Sequence, residues 1–103
     1  MRNTDFGRFS EPAVLILISL ADGPKHGYAM IEDIERVAGV KLGPGTLYGA
    51  IARLESKGLI EPLAPDERRN PYRITVEGER SLRTHLVALE TVARVGNERL
   101  ATA

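Results

Sequence analysis

From Ala13 to Leu20 the chain carries a single polar side chain, Ser19, in eight consecutive residues. A membrane-spanning helix needs about 20 apolar residues, so this run is core and not membrane. A helix that is apolar nearly all round has to be enclosed. In a chain of 103 residues, the other elements must therefore be arranged around it. Ser10 is placed to cap this first helix, and Pro12 falls in its first turn, where a missing N–H costs little. The turn Asp22-Gly23-Pro24 ends it after Leu20.

Glycine and proline divide the rest of the chain. A second helix is expected from near His26 to Val37 or Ala38. Tyr28, Ile31, Ile34 and Val37, helped by Ala38, mark its inner side, while Glu32, Asp33, Glu35 and Arg36 cover the rest. Gly39 stops it. Gly43-Pro44-Gly45 opens a third helix, expected to run to Lys57, in which Leu47, Ala50, Ile51 and Leu54 follow the i, i+3, i+4, i+7 pattern. Gly58 ends it.

Leu59-Ile60-Glu61 and Tyr72-Arg73-Ile74 read as short strands, with Tyr72 and Ile74 on the face opposite Arg73. Pro62 and Pro71 suit only edges or ends, as in a two-stranded hairpin. Ala64–Asn70 is a polar loop between them, and Thr75 caps a last helix that extends close to Leu100. The order helix, helix, helix, strand, strand, helix, with a short connection between the second and third helices, defines the fold class. It is mainly α with a small β-hairpin: a winged helix-turn-helix plus a C-terminal dimerisation helix. The expected division is an N-terminal arm over 1–10, a winged-helix DNA-binding domain over 11–75 and a dimerisation helix over 76–103.

Composition narrows the chemistry. There is no cysteine, so disulfide and thiolate chemistry are excluded, which fits a reducing cytosol. His26 and His85 stand apart, without metal-ligand spacing or a nucleophile motif, and Gly43-Pro44-Gly45 lacks the lysine of a phosphate-cradling loop. No enzyme activity, metal or cofactor is expected. The first twelve residues hold no apolar signal region, so a cytoplasmic location is expected.

Net charge is zero, but it is unevenly spread. Residues 11–40 carry Lys25 and Arg36 against Glu11, Asp22, Glu32, Asp33 and Glu35, a net of −3. Residues 41–73 carry Lys41, Arg53, Lys57, Arg68, Arg69 and Arg73 against Glu55, Glu61, Asp66 and Glu67, a net of +2. This polarity permits DNA binding without demanding it.

A helix-turn-helix protein places its second helix in the major groove, here Pro44 to Lys57. Leu47, Ile51 and Leu54 face inward, leaving Gly45, Gly49, Ala52 and Ser56 outside, all small enough for close approach to bases and phosphates. Thr46, Tyr48 and Arg53 flank that strip with hydrogen-bonding groups. A plain surface helix with small residues outside is the competing reading. Gly49, in a helix interior, costs about 1 kcal/mol relative to alanine and asks for a reason. Tyr48 serves either as a half-buried core ring or as a polar contact. Arg68, Arg69 and Arg73, on and beside the hairpin loop, suit phosphates or a narrow minor groove, although Asp66 and Glu67 lie beside them.

Three stretches resemble the PadR-like winged-helix transcriptional regulators. They are Gly23-Pro24-Lys25-His26-Gly27-Tyr28, then Pro44-Gly45-Thr46-Leu47-Tyr48 continuing through Ile51 and Leu54 to Gly58-Leu59-Ile60, and finally Tyr72-Arg73-Ile74-Thr75-Val76-Glu77-Gly78. The likeness spans about residues 13–80 and fits the short-tailed subgroup with one helix after the wing. It implies a dimeric repressor released by a small molecule or stress signal. It also implies DNA contacts from Lys25, His26, Tyr28, Thr46, Tyr48, Gly49, Arg68 and Arg69. The chain has no tryptophan, so binding of a drug between stacked indoles does not carry over.

On the last helix, Leu82, Leu86, Leu89, Ala93, Gly96 and Leu100 recur at spacings of four and three. Such a heptad-like seam is expected to close against a second chain, with Ala93 and Gly96 allowing close approach. The first helix is expected to complete the interface, with Phe6 and Phe9 packed on it. A two-fold dimer sets its reading helices about 34–36 Å apart and so reads a palindromic operator in double-stranded DNA. The alternative function is a winged-helix protein-interaction module that does not bind DNA.

Overall fold

The computed structural model describes residues 11–103, and Ser10, Phe6 and Phe9 lie outside them. Helices α1 (Pro12–Ala21), α2 (Gly27–Ala38) and α3 (Pro44–Ser56) are followed by strands β1 (Ile60–Pro62) and β2 (Tyr72–Ile74) and by helix α4 (Val76–Ala101). This is the expected winged helix-turn-helix with a helical C-terminus. No helix among the described residues is long and apolar enough to cross a membrane.

Helix α1 is the hub. It packs against α2, α3, α4 and β2, with Leu15, Ile16, Leu17 and Leu20 buried. Pro12 lies in its first turn as expected, and the capping position is taken by Glu11, whose side chain makes no cap bond. Met30 and Ile34 of α2, Leu47, Ala50, Ile51 and Leu54 of α3, Ile60 of β1 and Leu82 of α4 close around it. Each fully buried side chain of this kind contributes about 1.5–3 kcal/mol.

The inner face of α2 differs from expectation. Gly27, Met30, Asp33 and Ile34 point inward, while Tyr28 and Val37 are each 65% exposed. Each three-residue step falls about 60° short of a full turn. A strict run of threes therefore walks around the helix, and only its middle members, Ile31 and Ile34, meet the core. Asp33, expected on the solvent side, is buried. The hydroxyl of Ser19 on α1 donates to it at 2.7 Å, and Arg36 donates to its other oxygen at 2.5 Å. Burying a carboxylate costs free energy unless it is paired in this way. Gly39 adopts φ 70°, a left-handed conformation that ends α2.

Strand β1 begins one residue later than expected. The Leu59 N–H still donates to Leu54 at the end of α3, so pairing starts at Ile60, opposite Ile74, and runs through Glu61–Arg73 to Pro62–Tyr72. Pro62 is accommodated because β1 has a free edge. Helix α4 then starts at Thr75, whose hydroxyl accepts from the Gly78 N–H at 3.0 Å. Gly78 is packed against the Leu59 carbonyl and the Ile74 side chain, and a β-carbon there would lie 2.7 Å from Ile74 Cγ1.

Helix α4 is about 39 Å long at 1.5 Å per residue, yet only Gly78 and Leu82 in it are buried. Leu82 is 6% exposed inside the domain core and so is closed to a second chain, contrary to its place in the expected seam. Beyond it, Leu86, Leu89, Ala93, Gly96 and Leu100 continue the same face into solvent, Leu89 at 48% and Leu100 at 75% exposure. The radius of gyration, 15.2 Å, exceeds the roughly 13 Å of a compact hundred-residue domain.

Candidate nucleic-acid interface

The interface is organised by a contact that local patterning does not reveal. The backbone of Lys25 pairs with Tyr72: the Lys25 N–H donates to the Tyr72 carbonyl at 3.2 Å, and the Tyr72 N–H returns a bond at 3.0 Å. The segment before α2 thus lies against β2 as a one-residue extension of the hairpin. His26 comes next as the N-cap of α2, with extended backbone, φ −85° and ψ 169°. It is thereby set beside the wing, where Arg69 Nη1 lies 3.0 Å from its Nε2. The Ala29 N–H is directed at its Nδ1 from 3.4 Å.

The wing tip is tighter than the seven-residue loop expected from Ala64–Asn70. Leu63 donates to the Pro71 carbonyl at 2.9 Å, extending the ladder, and Asp66 and Arg69 exchange backbone bonds at 2.9 and 2.8 Å. Between them Glu67 and Arg68 adopt φ 49° and 70°. Positive φ at both central residues is the two-residue turn whose twist matches a hairpin, usually built from Asn and Gly. Bulky side chains there cost about 1–3 kcal/mol each. This turn projects Arg68 and Arg69 towards the start of α2.

A cleft of ≈ 320 Å³ results, lined by His26, Gly27 and Tyr28 from α2, Tyr48 from α3, and Arg68, Arg69 and Asn70 from the wing. Tyr48 combines the two roles left open for it. Its ring lies across Gly27, yet the side chain remains half exposed. Five of the ten residues expected at DNA (His26, Tyr28, Tyr48, Arg68 and Arg69) thus share one wall. Gly27 and Asn70 join them unforeseen; the only sequence signal was a glycine in the first turn of a helix.

Thr46, Gly49 and Arg53 lie on the adjoining face of α3. Gly45, Thr46, Ala52 and Ser56 are exposed, so this face is open. Among the described residues, nothing approaches where a β-carbon of Gly45 would lie, and only the Arg53 guanidinium, 3.7 Å away, approaches that of Gly49. No packing within the domain explains Gly49.

Two expected residues are turned elsewhere. The Lys25 ammonium donates to the Ser19 carbonyl at 2.6 Å and lies 3.7 Å from Asp22, so it neutralises the C-terminal end of α1. Arg73 is ion-paired across the hairpin with Glu61, since the strand register sets these two side chains opposite each other. Tyr72, on β2 opposite Lys25, has its phenol pKa raised above 10.0 by burial first, then by electrostatic interaction with Glu55 and Tyr48. Among the described residues, no three His, Cys, Asp or Glu side chains gather as metal ligands would.

A three-helix core with a hairpin wing, an open face on α3 and two wing-tip arginines set beside the start of α2 defines a winged-helix protein of the transcription-regulator class. Residues 16–84 match the transcriptional regulator PadR-like family, and the chain belongs to that family. This is a family of regulators, not of enzymes. The chain is 39% identical over 82 residues to the transcriptional regulator Rv3488 of Mycobacterium tuberculosis, an alignment covering 77% of this chain and 76% of that one. It is 49% identical over 75 residues to an uncharacterised 37.1 kDa protein in transposon TN4556 of Streptomyces fradiae, covering 73% of this chain but only 22% of that protein. The crystal structure of a PadR family transcription regulator from Clostridium difficile R20291 superposes with a TM-score of 0.80 at 27% identity, over 88% of this chain and 99% of that one.

Proposed function

We propose that this chain is a homodimeric repressor that binds a palindromic operator in double-stranded DNA and is released by a small-molecule or stress signal. The observation that carries the DNA reading is the cleft where His26, Tyr48 and Arg69 converge beside the open face of α3. Residues 11–75 do the reading. Helix α3 enters the major groove with Thr46, Gly49 and Arg53 towards the bases, and Tyr28, Tyr48, Arg68 and Arg69 take the flanking phosphates. Residues 76–103 supply the dimer. Beyond core residue Leu82, the face formed by Leu86, Leu89, Ala93, Gly96 and Leu100 is left exposed by the described residues, and a second copy of the same helix fits its heptad-like spacing. Two linked domains offset the weak attraction of a chain with zero net charge. Repression, the releasing signal and a cytoplasmic location rest on family membership.

Binding to the DNA upstream of the chain's own gene, measured by anisotropy at several salt concentrations, tests this reading. A DNA-binding dimer gives log K falling linearly with log salt. Binding with no salt slope contradicts it and supports the second reading, a winged-helix protein-interaction module, which zero net charge favours. A thermal-shift screen with phenolic and cationic compounds tests the releasing signal, which a ligand that raises the melting temperature and weakens DNA binding would support.

A further inference from the structure

We propose that His26 is a tautomeric latch between the wing and helix α2, opened by a phosphate oxygen of bound DNA. The proposal rests on the DNA-binding reading above and assigns His26 and Arg69 a joint role in it.

Both ring nitrogens of His26 face hydrogen-bond donors: the Ala29 amide at Nδ1, 3.4 Å away, and Arg69 Nη1 at Nε2, 3.0 Å away. A neutral imidazole has one N–H and one bare nitrogen, so it accepts one such bond and not two. A guanidinium has donors only. With the proton on Nε2, Arg69 meets an N–H. With the proton on Nδ1, the Ala29 amide does. With both nitrogens protonated, neither accepts and two cations face each other. The cap of α2 and the anchorage of the wing arginine therefore compete for one lone pair.

In the free chain the shorter contact prevails, because a charged donor makes a hydrogen bond about twice as strong as a neutral one. The proton rests on Nδ1, the α2 cap is unmade, and Arg69 is held against the protein. Other charged groups around the ring do not supply a second acceptor to Arg69. Lys25 is turned to the Ser19 carbonyl, Arg68 is a cation, and Asp66, which lines a neighbouring groove together with His26 and Arg69, forms no ion pair with Arg69. Tyr28 and Tyr48 line the same cleft as the ring.

A phosphate in the cleft removes the conflict. Arg69 turns its guanidinium to a phosphate oxygen. The proton on Nδ1 leaves to solvent and one from solvent is taken up at Nε2, so the ring ends with the proton count it began with. Bare Nδ1 then accepts the Ala29 N–H, and the new Nε2–H donates to the same phosphate. Binding thus frees the Arg69 side chain from the protein and completes the first turn of α2 in one step.

Long-range 1H–15N correlation NMR of the full chain distinguishes the tautomers, with the His26 signals assigned by their loss in His26→Asn. The free protein is expected to show Nδ1–H, and the protein with a short duplex of arbitrary sequence at low salt to show Nε2–H. Arg69→Ala is expected to show Nε2–H without DNA. An Nε2–H ring in the free wild-type chain, or a ring indifferent to Arg69→Ala, overturns the latch. Asparagine is itself a good N-cap, so His26→Asn is expected to fold with undiminished helix content and lose several-fold in duplex affinity. Wild-type affinity in His26→Asn overturns the phosphate contact. If the wild-type chain binds no duplex, the DNA reading fails, whereas the response of the free ring to Arg69→Ala still decides the competition within the protein.

Discussion

Tyr48 lies across the first turn of α2 because Gly27 has no side chain; a β-carbon at residue 27 would fall 2.7 Å from Tyr48 Cζ and 3.2 Å from Leu47 Cδ2. The reading helix and the second helix are thus fitted together at the wall of the cleft. The nearest atoms in the way belong to the far end of a rotatable ring, and Leu47 Cδ2 has only to give by a few tenths of an ångström, so Gly27→Ala is expected to swing Tyr48 aside without unfolding the domain. Thermal unfolding should change by less than about 1 kcal/mol, partly because alanine is the better helix former. DNA affinity should fall by the worth of a hydrogen bond, about 0.5–1.5 kcal/mol. Unchanged affinity with a displaced Tyr48 resonance would remove this residue from the interface.

Arg69 and Lys25 are both cations near the cleft, but the structure separates their roles. Arg69→Ala is expected to weaken binding to all DNA sequences alike and to reduce the slope of log K against log salt by about 1, the signature of one lost phosphate contact. Lys25→Met is expected to leave that slope unchanged and lower the melting temperature, since its ammonium serves the Ser19 carbonyl and Asp22. Salt titrations of the two variants side by side provide the measurement.

The exposed apolar face of α4 supports a second quantitative expectation. Leu89→Glu puts a charge at the middle of the proposed seam, while the domain core, which ends at Leu82, is untouched. Sedimentation at micromolar concentration should show the wild-type chain as a dimer and the variant as a folded monomer. A wild-type monomer at that concentration would refute the seam.

Tyr72 gives the fold an alkaline limit. Burial, aided by Glu55 and Tyr48, raises its phenol above the ordinary value of 10.0. Below about pH 10 both folded and unfolded chains keep the proton, and the contribution of the neutral phenol is fully present. As pH climbs through the raised folded value, the unfolded chain has already released its proton, so stability is lost. Urea unfolding between neutral pH and pH 11 should show a steeper decline for wild type than for Tyr72→Phe.

The legible part of the sequence was the part that repeats locally. Leu47, Ala50, Ile51 and Leu54 gave the inner face of α3 because their spacing alternates threes and fours, and the same logic left Gly45, Gly49, Ala52 and Ser56 outside. Tyr28 and Val37 misled because a constant step of three drifts around a helix. Asp33 and Lys25 were misplaced for another reason: their partners, Ser19 and its carbonyl, are on a different helix, and a buried polar group is recognisable only once that partner is known. Arg73 became an ion-pair partner of Glu61 through a strand register that starts one residue later than the hydrophobic pattern suggested. The seam on α4 was visible as a period, but a period does not say where one subunit's core ends.

The backbone bridge between Lys25 and Tyr72 makes the hairpin and the entry to α2 one mechanical unit. A hairpin anchored only through its strands would be free to tilt; this one is clamped from the side, next to the residues that line the cleft. Evolution or an engineer can therefore lengthen the segment at Ala64 and Pro65, outside the clamp and before the tip turn, without disturbing how α3 is presented. A change of backbone hydrogen bonding at position 25 or 72 would instead misalign both contact elements together.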